Sequence, residues 1–178
     1  MQIEDFLEIL FQGITAIAII FAAIQIKINR KQLNISVIEK CFKDFRELGK
    51  LDLNAAHPSK IKAYIEIVNE ELFYMQRGYL PEDICLEWLD GIIEYLPLYD
   101  KYSNTALNPQ NCFSAILENP DEYLRNYSRV LHVLTIDNTF DFAAIYSLDK
   151  SELVNRIKER KKLIKHLKSN LKNFDFYS

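Results

Sequence analysis

The sequence predicts an all-α protein in which a long N-terminal helix crosses a membrane and continues into a helical bundle. Three observations predict it. Ile9 to Ile26 form an 18-residue run without a charge. No segment sustains the period-2 alternation of a half-buried strand, and proline and glycine punctuate the remainder at helix-length intervals. The chain has 178 residues, 49% hydrophobic and 26% charged, which excludes a disordered chain and fits one domain with an appendage. The expected division is a transmembrane helix with its juxtamembrane segment, 1–32, and a helical body, 33–178.

The apolar run holds seven isoleucines, one leucine and two phenylalanines. At 1.5 Å per residue it is about 27 Å long, close to the ~30 Å hydrocarbon core of a bilayer. Its aliphatic and aromatic residues favour insertion by roughly 3–6 kcal/mol. Glu4, Asp5 and Glu8 precede the run, and Lys27, Arg30 and Lys31 follow it. Positive charge on the C-terminal side places the body in the cytoplasm and the short N-terminus outside the inner membrane. A cleaved signal peptide carries its positive charge before the apolar run, so that reading is poor. A long buried helix of a soluble protein is the competing reading.

Small and polar residues interrupt the run regularly. Thr15, Ala18, Ala22, Gln25, Asn29 and Gln32 follow alternating steps of three and four, which keeps them on one helical stripe. Lipid tails give apolar helices no hydrophobic reason to associate, so close approach of small residues and interhelical hydrogen bonds must do it. The stripe therefore predicts a homo-oligomer with Thr15, Ala18, Ala22, Gln25 and Asn29 at its seam. In a ring of copies the same seam could line a wetted pore; in a lone anchor it has no function.

The first helix continues through "NRKQLNISVIEKCFKDFRELGK", with Leu33, Val37, Phe42 and Phe45 as core positions and Gly49 as its end. Pro58 and Gly78 bracket the next helix. A third starts at Pro81 and breaks or bends near Pro97. "NPQNCFSAILE" is a short helix between two proline signals, and "NPDEYLRNYSRVLHVLT" a longer one from Pro120. The last helix opens with Asp149 and Glu152 at capping-box spacing. Six or so helices with short connections make a bundle.

Most chemical signatures are missing. There is no phosphate-cradling glycine loop, HExxH, GxSxG or EF-hand. Cys41, Cys85 and Cys112 are odd in number and widely spaced, and read as reduced thiols. His57, His132 and His166 are far apart in sequence. No metal, cofactor or small-molecule substrate is expected. The acidic run Glu82, Asp83, Glu87, Asp90 and Glu94 reads as a solvated helix face. The net charge of −3 hides a segregation: Lys150 to Lys172 carries nine Lys/Arg against Glu152 and Glu159, while the rest holds 13 basic and 23 acidic residues. Such a tail, with Arg156, Arg160, Lys161, Lys162 and Lys165, suits anionic lipid, nucleic acid or the acidic body itself.

"RNYSRVLH" carries the one chemical constellation. On a continuous helix Arg125 and His132 lie within about 20° of each other, with Glu122 and Arg129 on the same side. Leu124, Tyr127, Val130, Leu131 and Leu134 then face the core. An arginine can grip a phosphate and a histidine can exchange protons near neutral pH, the pair that metal-free RNA cleavage needs. A charged surface stripe with Glu122 paired to Arg125 is the plainer reading. Arg125-Asn126 followed by His132 resembles the R-polar-x(3–5)-H motif of HEPN domains, small all-α domains common in antiviral RNases. The resemblance implies that Arg125 holds phosphate, His132 serves as acid/base and Asn126 supports them, across a dimer. The gap stands at the long limit of the pattern, which leaves enzyme activity open and weighs against it. Arg160 and His166 give a second match, but about 240° apart on one helix.

A single N-terminal span before a degenerate HEPN-like body resembles the small membrane accessory proteins of type VI-B CRISPR systems. "DEYLRNYSRVLHVLTIDNTF" also looks like a segment of AbiC-type abortive-infection proteins. These resemblances imply a homo-oligomeric pore that perturbs membrane potential in antiviral defence, with an RNA-guided effector or RNA as partner. A membrane-tethered RNase and a non-catalytic scaffold are the alternatives.

Overall fold

A computed structural model describes residues 3–175, with side chains from Phe11 onward. The acidic flank Glu4, Asp5 and Glu8 lies outside the described side chains. The chain is mostly helical, 68% helix against 3% strand. The first helix, α1 (Ile3–Leu48), runs unbroken for 46 residues, about 69 Å. It contains no proline, and Gly13 passes within it without a break. Gly49, at φ +66°, closes it as expected, its N–H donating to the Arg46 carbonyl at 3.1 Å.

The division at residue 32 thus falls inside one helix. Every residue from Phe11 to Leu33 is exposed, and α1 first buries a side chain at Val37, then at Cys41 one turn on. Of its expected core residues only Val37 is buried. Leu33, Phe42 and Phe45 remain 46, 41 and 39% exposed. The reason is that α1 meets the body along a single narrow edge.

The body assembles around α2 (Pro58–Gln76) and α8 (Leu153–Asn173). His57 caps α2, its Nδ1 accepting from the Ser59 N–H, and Pro58 occupies the first turn, where a missing N–H costs nothing. Ile61, Ile65, Val68 and Leu72 form the buried stripe of α2, which packs against α1, α3 (Glu82–Ile92), α5 (Pro120–Leu124), α6 (Ser128–Leu134) and α8. On the far side α8 buries Leu163, Ile164, Leu167 and Leu171 against α3, α6 and α7 (Phe142–Ile145).

The irregular connection after α3 contains a polar clamp. Asn108, 2% exposed, accepts from the Leu98 N–H at 2.7 Å and donates to the Leu96 carbonyl and to the Tyr146 hydroxyl. Tyr146 in turn donates to the Ile93 carbonyl at 2.8 Å. Asn108 therefore belongs to a loop, and the short helix expected there, α4, starts only at Ser114 and ends at Glu118. The third helix ends at Ile92, five residues before Pro97.

Two departures from the expected bundle matter more. Tyr99–Asp100 (β1) and Thr135–Ile136 (β2) pair in parallel, a two-residue ladder too short to leave a periodic signal. The helix expected across 120–135 is split: Arg125 and Asn126 form a turn and Tyr127 is non-helical. Leu124 and Val133 are both buried, yet on one straight helix they would lie about 180° apart. The break lets both α5 and α6 face the core. Leu131, expected inside, is 38% exposed.

Candidate functional site

Two features answer to the sequence reading: the exposed apolar helix and the Arg–His segment. Along α1, Phe11, Ile19, Phe21 and Ile26 are each more than 60% exposed, and no residue of the 18-residue apolar window is buried. This one helix is long and apolar enough to cross a membrane. Because the helix is continuous, Thr15, Ala18, Ala22, Gln25 and Asn29 fall within an arc of about 80°. The polar members are partly engaged along their own helix. Thr15 Oγ1 donates to the Phe11 carbonyl at 2.8 Å, and Gln25 Nε2 donates to Asn29 Oδ1 at 3.1 Å. Such i, i+4 pairing lowers the cost of facing lipid, and the amide donors it leaves over are available to a neighbouring helix.

The break between α5 and α6 governs the second feature. Arg125 caps the end of α5 and Asn126 follows in the turn, both exposed. His132 lies beyond the break on α6, its Nε2 3.2 Å from the Asn170 carbonyl and its ring 5.2 Å from Phe174. Arg125 and His132 would share a face only on a straight helix, and the break at 125–127 removes that alignment. Glu122 pairs with Lys62 at 2.9 Å rather than with Arg125. Arg129 packs into the structure: its guanidinium lies 5.4 Å from the Phe73 ring and 5.5 Å from Phe174, and it donates to Asn69 and Gln76. Burial, assisted by nearby Arg77, holds it below the usual arginine range.

His132 has a neighbour that sequence distance concealed. It shares a cleft of about 220 Å³ with Lys101, Asp137 and His166; Arg125 does not line it. The juxtaposition comes from α6 packing on α8, with the β1–β2 ladder bringing Lys101 and Asp137 alongside. Asp137 Oδ1 is buried there without a hydrogen bond, and the His166 ring lies 5.3 Å from Phe140. The only sequence signal for His166 was the second R-x5-H match. Its arginine turns the other way, as the 240° separation required.

That arginine, Arg160, is 14% exposed and bonds to Asp90 at 2.8 Å and Glu94 at 2.6 Å. Lys168 reaches Glu82 at 2.5 Å. The acidic run on α3 and the turn after it is therefore not merely a solvated face: three of its five members, Glu82, Asp90 and Glu94, bind α8. Part of the tail's positive charge is met by the acidic body. Lys158, Lys161, Lys162 and Lys165 stay exposed beside Val154 and Ile157. Cys41, Cys85 and Cys112 are free and buried, and burial pushes the Cys41 and Cys112 thiols up to about 12, where they are inert. No cluster of metal-binding side chains occurs among the described residues. No family model, curated protein or solved structure matches the chain.

Proposed function

We propose that this chain is a single-pass membrane protein whose α1 helices associate through the Thr15–Ala18–Ala22–Gln25–Asn29 seam into a homo-oligomeric pore that perturbs membrane potential. The observation that carries it is the bare apolar rod. From Phe11 to Leu33 none of the described residues covers α1, an apolar surface that water does not tolerate on a soluble monomer. A bilayer covers most of it, and copies of the same helix cover the seam. Lys27, Arg30 and Lys31 after the apolar run support an orientation with the body on the cytoplasmic side. The resemblance to accessory membrane proteins of RNA-targeting CRISPR systems supplies the biological setting, antiviral defence beside an RNA-guided effector.

The seam makes the proposal testable. Ala22→Leu should block close helix approach, and Gln25→Leu should remove the interhelical hydrogen-bonding group. Expressed at wild-type level in the membrane, both variants should fail to depolarise cells, as read by a potential-sensitive dye. Depolarisation equal to wild type in both would refute the pore.

A further inference from the structure

The body carries a second, separate site. Where α1, α2 and α3 meet lies a cavity of about 140 Å³ whose walls include Phe42, Phe45, Tyr64, Trp88 and Tyr95, with Glu71 set among them. Phe42 stands edge-on to Trp88, with centroids 6.1 Å apart, and Tyr64 meets Phe45 at 6.3 Å and Tyr95 at 5.3 Å. Glu71 is 8% exposed and sits in a cluster otherwise apolar. Each of the ion pairs and hydrogen bonds around it belongs to other groups: Lys40 bonds to Asp44 and Glu70, and Tyr127 to Glu66. Glu71 lines the cavity, and among the described residues none of the hydrogen bonds or ion pairs engages its carboxyl.

A buried carboxyl without a donor is costly unless something in the cavity answers it. What suits both the carboxyl and the rings is a cation with an apolar skin, since ring faces attract positive charge and methyl groups fill the space between them. A bare metal ion is a poor match, because hard cations want six or more oxygens. The volume is similar to the ~150 Å³ cavity that accepts a benzene, which limits the occupant to one compact head group. Glu87, exposed at the rim, adds a second negative charge along the entry path.

We propose that this cavity binds a soluble alkylammonium ion of the choline type, with Glu71 as its counter-ion and Phe42, Tyr64 and Trp88 as its cation–π walls. A lipid head group is out of reach. Phe42 lies eleven residues beyond Lys31 on α1, about 16 Å further from the membrane along the helix. Because Phe42 and Phe45 belong to the same helix as the apolar rod, the occupant bridges that helix to the body and stabilises their contact by mass action.

Trp88 is the only tryptophan in the chain and reports on the cavity directly. The full chain in a maltoside detergent, held above pH 8 so that the Glu71 carboxyl is ionised and titrated with choline chloride against sodium chloride at equal ionic strength, should show a saturable change in Trp88 emission. The neutral isostere 3,3-dimethylbutanol and the variant Glu71→Gln should each bind about ten-fold more weakly or worse. Phe42→Ala alters a half-exposed residue, keeps the fold, and should weaken binding several-fold; it carries the test should Glu71→Gln fail to fold. Nanodiscs of phosphatidylcholine and of phosphatidylglycerol should give the same emission. A response that never saturates, an isostere as good as choline, full affinity in whichever variant folds, or a response to phosphatidylcholine without one to choline would overturn the assignment.

Discussion

Glu71 shows how one residue can tie the stability of the body to pH. Burial pushes its carboxyl from an ordinary 4.5 up to about 8. The groups around it are Cys41 and the Lys40–Asp44 pair on α1, Tyr64 and Glu70 on α2, Glu87 on α3, and Tyr95 beyond it. In the unfolded chain the carboxyl ionises near 4.5; in the folded, unliganded body it stays protonated until about 8. The unfolded state thus releases the proton first as pH rises, so stability is highest below about 4.5 and falls until about 8. Thermal unfolding of wild type and Glu71→Gln in maltoside, compared at pH 5 and pH 8, should show wild type losing a few kcal/mol more than the variant. Parallel losses would mean that Glu71 does not titrate in this way. The same scale explains why the Arg–His motif was hard to read. Arg129 looked like part of a charged stripe, and only tertiary packing placed its guanidinium between Phe73 and Phe174.

Between elements, the contact of α8 with α3 rests on a half-buried arginine. Arg160→Ala should destabilise the body by about 1–2 kcal/mol, held to that size by the partial exposure of Asp90 and Glu94. Lys162→Ala, whose pairing with Glu159 lies on the surface of the same helix, should cost less than about 0.5 kcal/mol. Chemical unfolding of the two variants checks this, and equal losses would remove the clamp from the account. Helix ends marked by local chemistry were legible in the sequence: Gly49 and Gly78 sit at positive φ where glycine is needed, and Pro58 and Pro120 open their helices. What was illegible depended on distant partners. The turn at Arg125–Asn126 exists so that Leu124 and Val133 can both reach the core. The four-residue α7 is too short for any period to register. The cleft that unites His132 with His166, and the cavity around Glu71, each join residues from several elements, and no spacing within one helix announces them.

At the scale of the whole molecule, the distribution of apolar surface decides the account. The body buries its own core around Ile65, Leu89, Phe113 and Leu134, whereas α1 from Phe11 to Ile28 offers its isoleucines and phenylalanines to whatever surrounds it. A narrow polar edge runs along that rod, paired within itself through Gln25 and Asn29. The proposed bilayer and further copies of the helix would together cover this pattern. The most direct measurement is the detergent-corrected mass, by sedimentation velocity, of the untagged chain extracted from membranes in maltoside. Helices joined at the seam give a particle several times the 20.9 kDa protomer, reduced in size by Ala22→Leu. A 20.9 kDa species alone in its micelle, or a chain recovered from the high-speed supernatant before any detergent is added, would contradict it.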